Sequence, residues 1–221
     1  MGLFGKIFGG DKKPSSDLPP EVRKIFDKMA RVMEDEKLQN SMYPDQIKSQ
    51  IENGQDTDEI SYAVGEFGRT EDNPIPVNGP IGELVYLSCL KTKSNARLLF
   101  HRLGSMDGID FYETVTIDGR DWDVLFFSMY HPRKSKKAPS GYVLTSTNEQ
   151  PLLFGTNRRV ENFPYSLQQA IRSTTSEIFG FPLPPPQVRQ AEESVKFQRP
   201  KDHLQRVKSL VAQSQGYRRD S

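Results

Sequence analysis

Residues 111–130 read FYETVTIDGRDWDVLFFSMY, and this stretch decides the fold. From Phe111 to Ile117 apolar and polar residues alternate, which is typical of a strand with one buried face. The pair Asp118-Gly119 follows and predicts a tight hairpin turn, because both residues tolerate a positive φ. The next run, Asp121 to Tyr130, is dense in aromatic and aliphatic residues. We therefore predict an antiparallel β-hairpin at the centre of the chain.

Short apolar runs on both sides of the hairpin extend the predicted sheet. Arg97–Leu103 ends at a glycine and has the composition of a strand. Leu84–Leu90 is also interpreted as a strand, although its length admits a helix. Tyr142–Leu144 and Leu152–Phe154 are short enough to be edge strands. The central sheet is therefore expected to be antiparallel.

Three stretches outside the sheet have the three- and four-residue apolar spacing of helices. One of them covers Asp45–Asn53. Another begins after Pro164 and stops at Gly180, because glycine accepts the left-handed conformation that ends many helices. The remaining stretch, nearest the N-terminus, spans about residues 20–38. Its apolar residues are Val22, Ile25, Phe26, Met29 and Met33.

These elements indicate an α+β fold, with a central antiparallel β-sheet flanked by helices and with polar helical or disordered ends. Residues 1–19 are predicted to be a flexible segment because glycine, proline and serine are frequent there. Residues 20–180 are the predicted single α+β domain. Residues 181–221 are interpreted as a Pro-rich linker and a polar C-terminal tail that does not pack on the core.

Composition excludes several functional classes. Hydrophobic residues make up 35% of the 221 residues, and the net charge of +1 demands neither a nucleic acid nor a membrane as partner. The single cysteine, Cys89, excludes an internal disulfide. No run approaches the length of a membrane span, so we expect a cytoplasmic protein. No catalytic or cofactor-binding motif is present, and we expect neither a cofactor nor a metal.

An apolar cluster lies at the start of the chain. Leu3, Phe4, Ile7 and Phe8 can line one face of a two-turn helix, which is marginal in water by itself. Such a face allows weak peripheral contact with a membrane or docking on a partner protein. The alternative is a terminus without a role.

Residues 65–90 contain the most distinctive motif of the chain, GEFGRTEDNPIPVNGPIGELVYLSCL. This segment resembles a group of small bacterial proteins of no established activity, which share the pattern EFG…NPIPVNG…GE…YL followed by FHRLGS and YHPR. The resemblance covers about residues 60–145 and implies one central domain of bacterial or phage type. It transfers no catalytic residue. The matching positions are Glu66–Gly68, Asn73–Gly79, Gly82–Glu83, Tyr86–Leu87, Phe100–Ser105 and Tyr130–Arg133.

The centre of this motif is a loop of turn-forming residues. Its members are Asn73, Pro74, Pro76, Asn78 and Gly79. A phosphate-binding loop needs several inward backbone N–H groups, and the prolines remove some of these donors. The composition favours a structural loop over one that contacts a ligand or a peptide.

Two histidines near strand ends are the candidate catalytic residues. His101 and His131 can each act as a general base, with Glu113 as an acidic partner, in a small hydrolase-like enzyme. Asp107 and Asp110 would be needed with Glu113 for a metal site, but nothing in the spacing makes them converge. The alternative is a pair of half-buried histidines that are hydrogen-bonded at sheet edges. A third histidine, His203, lies in the polar tail and is given no role.

A basic cluster follows the hairpin. It consists of Arg133, Lys134, Lys136 and Lys137, to which Arg158 and Arg159 can add. Such a patch can bind phosphates, nucleic acid or an acidic partner surface, and it can also be a solvated loop that protects a sheet edge. The neutral overall charge makes nucleic acid the less favoured partner. From these features we expect a protein-interaction or accessory module whose partner is another protein. A hydrolase and an anion- or nucleic-acid-binding protein remain the alternatives.

Overall fold

The computed structural model describes residues 20–146, 153–183 and 185–220. In this part of the chain there are seven helices and seven strands. The helices are α1 (Pro20–Glu34), α2 (Glu36–Ser41), α3 (Asp45–Glu52), α4 (Gly79–Cys89), α5 (Leu167–Phe179), α6 (Pro186–Ser194) and α7 (Lys201–Asp220). The strands are β1 (Ile75–Pro76), β2 (Leu90–Thr92), β3 (Leu98–Met106), β4 (Ile109–Thr116), β5 (Trp122–Ser128), β6 (Tyr142–Leu144) and β7 (Gly155–Thr156).

The main sheet has the strand order β1-β5-β4-β3-β7. Its three long strands, β3, β4 and β5, are antiparallel, while β1 and β7 are two-residue edges that pair in parallel. Strands β2 and β6 form a separate antiparallel pair. The predicted α+β class is therefore confirmed, and the sheet is antiparallel at its centre.

The predicted central hairpin is confirmed as β4 and β5. Phe111 lies opposite Phe126, and the turn contains Gly119 at φ +78°. A second hairpin joins β3 to β4 through Asp107 and Gly108, which both have positive φ. A β-bulge interrupts this pair between Arg102 and Gly104. The bulge changes which residues of β3 lie opposite those of β4.

One face of the sheet is covered by α4, and here the prediction of a strand at Leu84–Leu90 is wrong. The helix begins beside Pro80, whose fixed φ suits a first helical turn. Nine of its eleven residues are buried. A helix that is buried on all sides has no polar stripe, so its sequence is as uniformly apolar as that of an interior strand. Tyr86 and Leu87 pack with Phe127 and Tyr112 in the main core.

The opposite face is covered by α7, so the expectation that the C-terminal tail stays off the core is also wrong. Val207 and Val211 are buried against Phe111, Val124 and Phe126. Helix α6 packs as well, through buried Val188 and Ala191. The apolar stripe of α7 is narrow, but it packs on the second face of the sheet. An apolar sheet face is stable only when another layer covers it.

The N-terminal helices differ in detail from the prediction of one helix at 20–38. The helix breaks at Asp35, whose carboxylate accepts a hydrogen bond from Leu38 N at 3.0 Å and caps α2. Met29 and Met33 of the predicted stripe are buried. The side chains of Val22, Ile25 and Phe26, and the whole segment with Leu3, Phe4, Ile7 and Phe8, lie outside the described residues.

Predictions for the remaining short elements have mixed outcomes. Helices α3 and α5 lie where they were expected, and Gly180 ends α5 at φ +78°. The strand Tyr142–Leu144 is present, whereas the strand predicted at Leu152–Phe154 is shifted to Gly155–Thr156; Leu152 itself lies outside the described residues. None of the described helices is long and apolar enough to cross a membrane.

Candidate functional site

Two predicted residues, His101 and Glu113, meet beneath the C-terminal segment. They lie directly opposite each other on β3 and β4, and His101 Nε2 lies 2.9 Å from Glu113 Oε2. The other carboxylate oxygen of Glu113 lies 3.0 Å from Nε2 of His203, in the first turn of α7. All three side chains are buried, and Glu113 is 1% exposed.

Arginine and aromatic groups enclose this cluster. Arg199 Nε lies 2.8 Å from Glu113 Oε1 as an ion pair, although its N–H is not aligned for a hydrogen bond. The Arg199 guanidinium also lies over the ring of Trp122 and donates to the carbonyl of Phe163 at 2.9 Å. The Phe163 ring stacks on His101 with 4.1 Å between centroids.

The protonation states of this cluster follow from its contacts. Burial lowers the pKa of His101 despite the nearby Glu113 carboxylate. The backbone N–H of Val160 donates to His101 Nδ1 at 2.9 Å, so the neutral ring carries its proton on Nε2 and donates it to Glu113. Burial opposes ionisation of Glu113, but hydrogen bonds from His101 and His203 outweigh it and lower the pKa of Glu113. The carboxylate is thus balanced by Arg199.

This geometry ties the C-terminal segment to the sheet. Both ring nitrogens of His101 and both oxygens of Glu113 already have protein partners. A general base needs a free nitrogen within hydrogen-bond distance of its substrate. The hydrolase hypothesis therefore gains no support from the arrangement of His101 and Glu113.

The second candidate histidine, His131, belongs to a different network. Its Nε2 lies 3.0 Å from the hydroxyl of Ser128, and its Nδ1 lies 2.8 Å from the carbonyl of Gln55. Burial lowers the pKa of His131 against the effect of the Gln55 carbonyl. His101 and His131 share no hydrogen-bond partner, so the structure does not bring them together as one site.

A second buried acidic cluster was not predicted from the sequence. The Tyr112 hydroxyl donates to Glu83 Oε2 at 2.7 Å, and Arg102 Nη2 donates to Asp110 Oδ1 at 2.7 Å. Glu83 is 0% exposed, and its Oε1 has no hydrogen-bond partner. Burial, followed by the Asp110 charge, raises the pKa of Glu83 well above its ordinary value. Glu83 therefore keeps its proton to higher pH than an exposed glutamate does, beside the ion pair of Arg102 with Asp110.

The loop signature is structural in this geometry. Asn78 donates from Nδ2 to Gln39 Oε1 at 2.8 Å and to Asn40 Oδ1 at 2.9 Å. Asn73 donates to the carbonyl of Gly65 at 2.9 Å. Residues 73–79, which include Pro74, Pro76 and Gly79, are all buried. The loop connects α2 to the sheet and presents no open surface to a ligand.

The basic cluster is largely neutralised by acidic residues of the same chain. Arg133 forms ion pairs with Asp56 and Asp58. The pKa of Asp58 is lowered, mainly by the hydrogen bond from Arg133. The other pairs are Lys134 with Glu36, Lys137 with Glu59, and Arg158 with Glu177. Lys136 donates its backbone N–H to Asp58. The positive charge of Arg159 lies close enough to His101 to help lower its pKa, after the larger effect of burial.

A different surface, the α1–α2–α5 groove, combines open apolar area with unpaired charge. Its floor is Val32, Leu38, Met42 and Ile178, and its rim is Lys24, Asp27, Lys28 and Arg31. The groove encloses about 480 Å³. The Met42 side chain is 42% exposed.

The groove adjoins a smaller depression of about 260 Å³, which shares Met42 and Ile178 with it. The further residues of this depression are Tyr43, Pro80, Ile81, Leu84, Asn157 and Glu177. The two depressions adjoin at Met42 and Ile178, and adjoining depressions can receive successive side chains of a peptide segment.

The sequence contained one signal for the groove that the predictions did not use. Lys24, Lys28 and Arg31 are spaced by four and three residues, which places them on one side of a helix. The apolar floor comes from three different helices, so no local pattern indicates it. Among the described residues, no three His, Cys, Asp or Glu side chains are placed to hold a metal ion.

Comparisons with protein-family models, with curated proteins and with solved structures find no match for this chain.

Proposed function

We propose that this chain is a protein-interaction module whose α1–α2–α5 groove binds a segment of protein that carries both apolar and acidic side chains. One observation carries the proposal: an open apolar floor lies beside three exposed cations that form no ion pair with a described residue. The basic cluster at 133–137 is less suitable, because its charges are already matched internally.

The charge of the rim selects the partner. Lys24, Lys28 and Arg31 face one another along α1, and like charges at this spacing destabilise a helix slightly. Asp27 is the single acidic residue among the four charged residues of the rim. Carboxylates of a bound segment would relieve this repulsion and would also speed association at low salt. A basic segment would increase the repulsion.

The floor supplies the attraction at short range. Apolar area removed from water contributes about 25 cal/mol per Å². Met42 lies at the junction of the two depressions and is accessible from both. A methionine side chain is flexible and adapts to the shape of different apolar side chains. The floor therefore suits aliphatic or aromatic residues of the partner without requiring one particular shape.

The proposal is tested with a synthetic amphipathic peptide that has leucines along one helical face and glutamates along the other. The probe is titrated into the chain with ¹³C-labelled methionine methyl groups. We expect the Met42 resonance to move, while the resonance of Met106, which packs on the opposite side of the sheet with α7, stays in place. The same peptide with lysines in place of glutamates is the matched control and should bind weakly.

Charge reversal on the rim provides the second arm of this test. The double variant Lys28→Glu, Arg31→Glu should bind the acidic peptide about tenfold more weakly, which corresponds to ~1.4 kcal/mol. Lys208→Glu reverses an exposed lysine of α7 and should leave binding unchanged. Equal binding of both peptides, or a peptide that moves Met106 and not Met42, contradicts the proposal.

A further inference from the structure

A surface loop presents an aromatic side chain that nothing in the described structure covers. Residues 56–72, here called the Tyr62 loop, carry Tyr62 at 100% exposure and Val64 at 71%. Tyr62 has φ +64°, a left-handed conformation that is unfavourable for a bulky residue. Because its side chain is fully exposed, Tyr62 buries no apolar area within the monomer.

The loop is held rigidly at both ends. At one end the Ser135 hydroxyl donates to the carbonyl of Asp58 at 2.7 Å, and the backbone N–H of Lys136 donates to Asp58 Oδ1 at 2.8 Å. At the other end Asn73 Nδ2 donates to the carbonyl of Gly65 at 2.9 Å. A loop that is already ordered loses little conformational entropy when it binds, so it is suited to recognition.

The Tyr62 loop is also acidic. It contains six carboxylates and one cation, Arg69, and it has no lysine. Some of these charges are paired internally, such as Glu59 with Lys137 and Glu66 with Arg69. Glu71 and Asp72 are exposed and form no ion pair with a described residue. The loop therefore presents apolar side chains together with unmatched negative charge.

We propose that the α1–α2–α5 groove of one copy binds the Tyr62 loop of a second copy of this chain. The inference rests on the proposed function of the groove, and it names the partner. The loop has the combination that the groove requires: an aromatic and an aliphatic side chain for the floor, and carboxylates for Lys24, Lys28 and Arg31. Tyrosine is among the residues that most often anchor interfaces, because it buries a large area with few rotatable bonds.

The contact is heterologous, because the groove and the loop are different parts of the surface. Every copy has one of each, so repeated contacts generate a ring or an open chain. A single loop in a groove is a small interface of the weak, transient kind. Self-association is therefore expected to depend on concentration and to reverse on dilution.

Sedimentation of the full-length chain over a wide concentration range tests this inference. The unmodified chain should form dimers and larger species as its concentration rises. Tyr62→Ala and Arg31→Glu should each weaken self-association by about tenfold or more. Both residues are exposed, so both variants should retain the far-ultraviolet circular dichroism and thermal stability of the unmodified chain. Lys208→Glu serves as the matched control and should associate normally.

Mixing the two variants tests the head-to-tail geometry. The Tyr62→Ala chain keeps an intact groove, and the Arg31→Glu chain keeps an intact loop. Their mixture should form heterodimers in a one-to-one ratio and nothing larger, because one competent contact remains. Undiminished self-association of Tyr62→Ala, or a mixture that stays monomeric while the unmodified chain associates, overturns the inference.

The failure of this inference can be told apart from the failure of the proposed function. A chain that is monomeric at all concentrations, but whose Met42 resonance still moves with the acidic peptide, has a docking groove and a partner other than itself. If the chain is monomeric and the substitutions Phe4→Ala and Phe8→Ala move the Met42 resonance away from its position in the unmodified chain, the groove holds the chain's own N-terminal segment. Either result overturns self-docking.

Discussion

The two buried glutamates, Glu83 and Glu113, have pKa values that are shifted in opposite directions, although burial opposes the ionisation of both. Glu113 accepts hydrogen bonds from His101 and His203, forms an ion pair with Arg199, and stays ionised. Glu83 faces Asp110, whose charge is already satisfied by Arg102, and takes up a proton. The same side chain at similar depth therefore has opposite charge states, because the neighbouring groups differ.

The substitution Glu83→Gln tests this assignment. The pKa of Glu83 in the folded state lies well above its ordinary value of 4.5, mainly because of burial. Between these two values the folded chain keeps a proton that the unfolded chain has released. The free energy of unfolding therefore falls as pH rises, by up to about 1.4 kcal/mol per pH unit from this group. Glutamine cannot ionise, so the free energy of unfolding of the Glu83→Gln chain does not fall with pH at this position.

We expect the stability of Glu83→Gln relative to the unmodified chain to increase as the pH rises above the ordinary glutamate pKa of 4.5, as measured by urea denaturation. The difference between the two chains isolates Glu83, because His101 and His131, whose pKa values are lowered, contribute equally to both. The exposed Glu66→Gln variant is the control. Parallel stability curves for the Glu83→Gln variant and the unmodified chain would refute the raised pKa.

At the scale of elements, α7 is the cover for one whole face of the sheet. It is held by Val207 and Val211 against Phe126, and by His203 against Glu113. Helix α7 lies close to the backbone of β3, because a Cβ added to Gly104 would lie 2.6 Å from the hydroxyl of Ser214. Removing the helix from the sheet would expose a buried carboxylate as well as apolar side chains.

The double variant Val207→Asp, Val211→Asp should release α7 from the sheet, because charged side chains are costly in an apolar contact. Two measurements report the release. Amide hydrogen exchange should accelerate in α7 while β4 stays protected, and the fluorescence of Trp122, the single tryptophan, should shift to the red as Arg199 and His203 leave it. Gln205→Asp with Gln213→Asp adds equal charge on the exposed side and should change neither signal.

Local patterns predicted some of these elements and missed others for definable reasons. The hairpin at 111–130 was found because alternation and an Asp-Gly turn are encoded within a few residues. Helix α4 was missed because it has no exposed face, and α7 was left off the core because its apolar stripe is short. The β-bulge is the reason that the pairing of His101 with Glu113 could not be predicted. In a regular hairpin with its turn at Asp107-Gly108, His101 would lie opposite Thr114. The extra residue of the bulge moves His101 opposite Glu113.

On the scale of the whole molecule, the near-zero net charge conceals a separation of charge. The chain carries a formal +1, yet the rim of the groove is basic and the Tyr62 loop is acidic. The basic cluster that is most conspicuous in the sequence is balanced by residues 56–59 and by Glu36. Charge that remains unmatched after folding is therefore a better guide to partners than charge runs in the sequence.

Because of this separation of charge, self-association should depend on the salt concentration. Exposed charges are screened over about 10 Å at 0.1 M salt and over about 3 Å at 1 M. Attraction between the basic rim and the acidic loop should therefore weaken as salt is raised, while contacts of Tyr62 with the apolar floor persist. In sedimentation equilibrium the dissociation constant should rise several-fold between about 0.05 and about 0.5 M sodium chloride. The Lys28→Glu, Arg31→Glu variant should lose most of this salt dependence along with its affinity. If the affinity of the unmodified chain rises with salt, apolar contacts alone drive association, and the rim charges do not select the loop.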